Sequence, residues 1–414
     1  MFPVLLYWGG SIAIVLLTIF MIYCCAGALG WLPARLCAPF AKPHAIQGVA
    51  VTRRETLFWF VLALFYQWVV LFFAYVCVAH TGAGFFQALW SRFTTAGDSP
   101  HYLWLAQYGY TASEDTRKLL VFYPLYPLLI RLFSPLFGGN LALCGMGISQ
   151  VCFAGAAALF RRLTAQTMAA DAGRAATAAL LLYPFSYFVF GVYTEGLFLL
   201  LSIACLSLLG RQRWLPAGLC AFLGALCRTQ GLALLFPCLF AWFAAPRAQR
   251  RSTRAWALLG APAGYGCYLL LNWVAAGQWM RYLDYQRDAP WYNSAHWFGD
   301  NLVQQYGMML DYPGLARFIY IPQLVLYAVG LVALFYLFWR GTGHTTAIFS
   351  LALMGMSYLH GWLISGSRYM FGCLGLYLAL GSIPSRPLRW LLLGLETCLL
   401  GLYAVYYMQG QAIM

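Results

Sequence analysis

Asp98 stands in the stretch Gly97-Asp98-Ser99-Pro100-His101-Tyr102-Leu103-Trp104-Leu105-Ala106-Gln107-Tyr108-Gly109-Tyr110, in a chain of 414 residues that holds only 11 acids. A carboxylate beside a histidine and a short aromatic helix can act as a general base on a hydroxyl. The plainer reading is a charge at a helix start, stabilised by the dipole. Ser99 can cap a helix whose first position is Pro100, and Gly109 can end it. Glu195 is the second candidate. It lies with Tyr193 and Thr194 between two apolar runs, 175–190 and 195–209, where an ionisable group is costly and usually functional, unless it is simply a solvated turn.

Arg228 and Arg368 complete the set. They stand in Cys227-Arg228-Thr229-Gln230-Gly231 and Gly366-Ser367-Arg368-Tyr369, each at the end of an apolar stretch. A guanidinium fork matches phosphate oxygens; the competing role is snorkelling to lipid headgroups. His101 and His360 could help to hold an anion, although a lone histidine is more often a hydrogen-bonded structural group. The segment Arg281-Tyr282-Leu283-Asp284-Tyr285-Gln286-Arg287-Asp288-Ala289-Pro290-Trp291 mixes charge and aromatics, as an acceptor surface or an ordinary interfacial loop would.

The elements that must position these groups are membrane helices. The chain is 63% hydrophobic and 9% charged, against about 25% charged in soluble domains. Segments that cross lipid must satisfy their own backbone groups, so an all-α polytopic fold is expected. Apolar runs at 4–29, 56–79, 141–160, 175–190, 195–209, 214–227, 231–245, 256–275, 318–338, 345–363, 369–383 and 390–408 predict about twelve spans, within a range of 10–13. One membrane domain, 1–414, accounts for the length. Residues 80–140 are expected to form a catalytic extracytoplasmic loop of interfacial helices, and 276–316 a second outer loop. Pro124 and Pro127 interrupt the apolar run behind Asp98.

Charge supports this topology. The net charge is +14, from 25 Lys+Arg against 11 Asp+Glu. The strongest arginine clusters, such as Arg247–Arg254, fall on one side of the alternation, and Asp98, Glu195, Asp284, Asp288, Asp300 and Asp311 on the other. The basic side is then cytoplasmic. The arginines are scattered between apolar runs, which excludes a nucleic-acid surface. Twelve of the thirteen cysteines lie in apolar runs and none forms Cys-x-x-Cys, so neither a disulfide framework nor a metal site is expected. The apolar start, Met1 to Leu29, lacks a basic n-region and reads as a retained helix.

A base and two cations on one face of a helical bundle suit transfer from a lipid phosphosugar. The phosphate leaves without an acid, the base takes the acceptor proton, and the cations hold the phosphate as its charge grows. A nucleotide-sugar donor would usually meet a soluble domain and a metal, and neither has a place here. A transporter or flippase of polyprenyl-linked sugars is the alternative. It would distribute polar groups along the spans, whereas here they gather at one face. A lipid-binding scaffold leaves the clustered base and cations without a purpose.

The stretch Asp98 to Tyr110, with Phe122-Tyr123-Pro124-Leu125-Tyr126-Pro127-Leu128-Leu129-Ile130-Arg131 behind it, resembles the PIG-V mannosyltransferase family and its bacterial relatives. Leu182-Tyr183-Pro184-Phe185-Ser186 through Tyr193-Thr194-Glu195-Gly196-Leu197-Phe198 resembles its second motif. Arg228-Thr229-Gln230-Gly231 resembles its arginine-polar-polar-glycine segment, with Gln286, Trp291 and Arg368-Tyr369 as looser matches. The resemblance runs from roughly 85 to 380. It implies a GT-C glycosyltransferase that transfers a hexose, mannose by the family's name, with inversion from a polyprenyl-phosphate donor to a lipid or glycan acceptor. It implies Asp98 as base and no cofactor or metal. Arg228 and Arg368 would hold the donor phosphate. His101, Tyr102, Tyr193, Glu195, Gln230, Gln286, Trp291 and His360 would line the sugar or acceptor pocket. The family often has Trp before this Asp, where Gly97 stands here, and Ser99-Pro100 is also a departure; both touch the acceptor side. The chain holds no Asn-x-Ser/Thr sequon, which points to a bacterial plasma membrane with the active site on its outer face.

Overall fold

The computed structural model describes residues 2–33, 49–78, 82–110, 118–245, 252–361 and 363–411. Its helices in chain order are α1 Phe2–Ala28, α2 Arg53–Cys77, α3 Phe85–Thr95, α4 Ser99–Tyr108, α5 Leu125–Phe133 and α6 Leu141–Thr164. There follow α7 Ala170–Leu182, α8 Glu195–Gly210, α9 Trp214–Cys227, α10 Leu235–Ala244, α11 Ser252–Ala276 and α12 Arg281–Arg287. The chain closes with α13 Phe298–Asp311, α14 Ile321–Arg340, α15 His344–Tyr358, α16 Gly366–Tyr369, α17 Leu374–Ser382 and α18 Arg386–Met408. Among the described residues the sole β-pairing is an isolated antiparallel bridge, Ala295 with His360.

Every expected apolar run falls on a helix, but the helices differ in length. Among the described residues five are long and apolar enough to cross a membrane, namely α1, α2, α6, Pro313–Arg340 containing α14, and α18. Other apolar helices are shorter, among them α8 and α9, with 16 and 14 residues, whereas α11 runs for 25. Their breaks follow local chemistry. The run 175–190 stops being helical at Leu182, ahead of Pro184, and resumes as a 3-10 turn at Ser186–Phe190. The run 231–245 begins as a 3-10 turn, Thr229–Leu234, before α10. The segment 276–316 is largely helical, with α12 and α13 inside it. The starts of α2 and α6 are capped by Thr52 and Asn140, whose side-chain oxygens accept from Glu55 N and Leu143 N.

The outer surface is apolar, with Phe65, Val69, Val332, Trp390 and Leu391 among the large exposed side chains. An apolar belt of this kind on long apolar helices faces lipid, and the chain is an integral membrane protein. Aromatic residues fill the interior: Tyr183 stacks on Phe371 with ring centroids 5.1 Å apart. A second cluster of Leu120, Tyr123, Tyr268, Tyr282 and Tyr285 joins, by way of α11, the two segments expected to lie outside. Tyr123 stacks on Tyr268 at 3.8 Å, and the Tyr268 hydroxyl donates to Leu120 O. The expected charges Glu114, Asp115 and Arg117, and those at Arg35, Lys42, Arg247, Arg250 and Arg251, lie outside the described residues.

Candidate active site

Asp98 sits at the corner between α3 and α4. The corner turns at Gly97, whose φ of +59° is the left-handed region that favours glycine. A Cβ at Gly97 would stand 2.5 Å from the Tyr193 hydroxyl, which donates to Ala96 O at 3.1 Å. This explains the small residue where the resembling family often has tryptophan. The cap differs by one position from the expectation. Asp98, not Ser99, is the N-cap; its carbonyl accepts from His101 N and Tyr102 N. The Asp98 carboxylate makes no capping bond, because it turns to Arg368 instead. Ser99 is buried as the first helical residue and donates its hydroxyl to Phe93 O at 3.0 Å.

Glu195 opens α8 and is 2% exposed. Its neighbour Gly196 lets α8 close on α6, since a Cβ there would meet Ser149 O at 2.2 Å. Ser149 in turn donates to Tyr193 O at 3.2 Å. Arg228 lies in extended backbone between the end of α9 and the turn Thr229–Leu234. Arg368 lies in the short α16, where the Tyr183 hydroxyl donates to Ser367 O at 2.6 Å.

Four separate segments thus deliver one ion-pair network. Arg368 donates from Nη2 to Asp98 Oδ2 at 2.5 Å and from Nε to Glu195 Oε1 at 2.7 Å. Arg228 donates from Nη1 to the same Glu195 oxygen at 2.7 Å. The guanidinium of Arg368 lies over the rings of Tyr193 and Phe188, and that of Arg228 over Tyr369. Two carboxylates balance two guanidinium groups, so the quartet is neutral as a unit. The sequence places a base and two cations on one face; the structure pairs both cations with acids.

The quartet borders a cavity of about 530 Å³. Asp98, His101, Tyr102, Arg228, Gln230, Gln286, Trp291, His360 and Arg368 line it, joining residues up to 270 positions apart in the chain. Tyr193 and Glu195 stand behind the wall, nearly fully buried, and support Arg368 and Arg228. His101 stacks on Phe122 at 5.1 Å and meets the Trp291 ring edge-on at 5.5 Å. Burial pushes the His101 imidazole below the ordinary histidine value against an opposing pull from Asp98, so the ring is neutral near pH 7.

Thr229, Tyr123 and Asn293 also line the cavity, and none was singled out from the sequence as a site residue. Thr229 donates to the Tyr123 hydroxyl at 2.9 Å. Both stand inside the quoted motifs, which was their only signal. Asn293 follows Trp291 in an irregular loop, and nothing in its sequence context marked it.

No protein-family model matches the chain, and no curated protein matches it. Among solved structures it is similar to the crystal structure of ArnT from Cupriavidus metallidurans bound to undecaprenyl phosphate. The TM-score is 0.52 at 12% identity over 82% of this chain. The chain spans 62% of the length of that protein. The likeness is one of fold. The chain shares the all-α polytopic membrane architecture of that structure, as expected from the sequence.

Proposed function

We propose that the protein is an inverting glycosyltransferase that moves a hexose, mannose by the resemblance to the PIG-V family, from a polyprenyl-phosphate donor to a hydroxyl of a lipid or glycan acceptor. The observation that carries this reading is the meeting of Asp98, Glu195, Arg228 and Arg368 beside one large cavity. The likeness in fold to ArnT, whose structure was determined with undecaprenyl phosphate bound, supports it.

In this mechanism the acceptor oxygen attacks the anomeric carbon from the face opposite the phosphate. Its proton passes to Asp98, whose Oδ1 stands apart from the Arg368 contact on Oδ2. The bond from the anomeric carbon to the phosphate oxygen breaks, and its electron pair leaves on the phosphate. Arg228 spends one nitrogen on Glu195, and Arg368 spends Nε and Nη2 on the two carboxylates. Their remaining N–H groups hold the phosphate as its charge grows. Tyr102, Gln230, Gln286, Trp291, His101 and His360 shape the sugar and acceptor space, while Tyr193 and Glu195 act as positioning residues. Neutral His101 offers a hydrogen bond to a hydroxyl without adding charge. The basic loops face the cytoplasm in this reading, so the cavity opens outside a bacterial plasma membrane, within 80–140 and 276–316 of a single domain. No step requires a cofactor.

The test is turnover by purified protein in detergent, given polyprenyl-phosphate-mannose and a membrane lipid extract. The expected result is a mannosylated lipid or glycan of opposite anomeric configuration to the donor, together with freed polyprenyl phosphate. Movement of intact donor across proteoliposomes without a new glycosidic bond would replace this reading with a flippase.

A further inference from the structure

The helix that opens with Glu195 behind the cavity wall ends at a second pocket. α8 has 16 residues, from Glu195 to Gly210, so its two ends lie about 24 Å apart at 1.5 Å per residue. At the Gly210 end an open pocket of about 460 Å³ is lined by Arg162, Gln166 and Arg211, with Val49 and Val51 forming an apolar side. The pocket is held in place from two directions. Val49 N donates to Ala165 O at 2.9 Å, and Arg162 Nε donates to Thr56 Oγ1 at 3.1 Å.

Charge is unbalanced around this pocket. Its lining contains two guanidinium groups and no carboxylate. Next to it on α6, Arg161 is fully buried, pairs through Nε with Glu55 Oε1 at 2.8 Å, and leaves Nη1 and Nη2 without a hydrogen-bond partner in the structure. Glu55 is shared: Arg174 reaches the same oxygen at 3.2 Å. In the pocket itself Arg162 is half-buried and Arg211 exposed, and with no acid in the lining a bound anion would offset their charge. The cavity end of α8 shows the opposite condition, two arginines matched by two carboxylates.

We infer that the pocket between Arg162, Gln166 and Arg211 binds a phosphate group, that of an anionic phospholipid headgroup. The guanidinium forks match phosphate oxygens and the Gln166 amide supplies a further donor. Val49 and Val51 offer an apolar edge for the start of an acyl chain. A basic pocket at the end of membrane helices is suited to anionic headgroups. The site is separate from the reaction cavity and independent of the reading given to that cavity.

The experiment is equilibrium binding to the full chain in detergent, followed by native mass spectrometry. The probes are dioctanoyl-phosphatidylglycerol, dioctanoyl-phosphatidylcholine and inorganic phosphate. Wild type is expected to bind phosphatidylglycerol saturably and phosphatidylcholine at least tenfold more weakly. Arg162→Ala/Arg211→Ala is expected to lose at least tenfold of the phosphatidylglycerol affinity, and Arg340→Ala, at an exposed helix end outside the pocket, none. Arg162→Lys/Arg211→Lys keeps the charge, provides a folded comparator if the alanine pair is unstable, and is expected to bind with intermediate affinity. Phosphate that binds as well as phosphatidylglycerol, and is lost in the same variants, would retain the anion site but overturn the headgroup. Equal binding of phosphatidylglycerol to wild type and to both double variants would overturn the site itself.

Discussion

The Arg368 guanidinium rests on the Asp98 carboxylate, Nη2 to Oδ2 at 2.5 Å, while its Nε holds Glu195. The residue proposed to hold donor phosphate therefore also fixes the proposed base. Binding at one is felt by the other, because a guanidinium that moves toward an arriving phosphate loosens its grip on Asp98. Arg228 has no such link; it meets Glu195 alone among the acids.

This difference separates the two arginines kinetically. Arg228→Lys keeps the charge but loses the planar fork, and is expected to raise KM for the donor more than it lowers kcat. Arg368→Lys cannot span both carboxylates and is expected to lower kcat as well. Steady-state kinetics with varied donor concentration distinguish the two. Equal effects on both parameters in both variants would contradict the asymmetry.

Glu195 is the hub of the network and almost wholly buried. Removing one partner from a buried ion pair costs about 3–5 kcal/mol. Glu195→Ala should therefore lower the melting temperature in detergent strongly, and Glu195→Gln, which keeps the shape, less so. In a double-mutant cycle Glu195→Ala and Arg228→Ala should be non-additive by about 0.5–3 kcal/mol. Additive losses would mean that the two side chains do not share a network.

Gly97→Ala puts a methyl group 2.5 Å from the Tyr193 hydroxyl and a side chain at φ +59°. A non-glycine residue held in the left-handed region costs about 1–2 kcal/mol before any clash. Tyr193 is tied to Ala96 O and cannot yield without breaking that bond. The variant should insert and fold but lose most transfer, because the Asp98 corner shifts. Wild-type turnover would show that the corner tolerates the shift.

Acid should destabilise the protein through His101. Its folded pKa lies below the 6.5 of the free side chain. Below that value the unfolded chain binds more protons than the folded one, so stability falls as pH falls through 6.5 towards the lowered value. Above it the contribution of this group is flat. Melting temperatures followed from about pH 7 to about pH 5.5 should decline, with a shallower slope in His101→Phe. An unchanged slope would place His101 in the same environment in both states.

The sequence made the helical membrane class readable because so few charges remain among the apolar runs. Asp98, Glu195, Arg228 and Arg368 were readable one at a time, since each interrupts an apolar context. Their pairing was not. Asp98 and Arg368 are 270 positions apart, and no local pattern says which acid will meet which base. The cap at Ser99 was misplaced by one residue because Asp98 and Ser99 are adjacent residues of capping type and the helix already begins at Ser99. Apolar runs such as 175–190 look like plain spans by composition, yet Pro184 and the packing of Tyr183 on Phe371 break that run into a helix and a 3-10 turn. Asn293 lay beyond reach because an irregular loop has no period from which to read a face.

The most direct measurement compares wild type with Asp98→Asn in the transfer assay with polyprenyl-phosphate-mannose, alongside donor binding and thermal melting. Asparagine keeps the size of the side chain and can still meet Arg368 through its carbonyl oxygen, but it cannot accept the acceptor proton. The account predicts a folded variant that binds donor and forms no product. Turnover at the wild-type rate by Asp98→Asn would contradict the assignment of the base and the mechanism built on it.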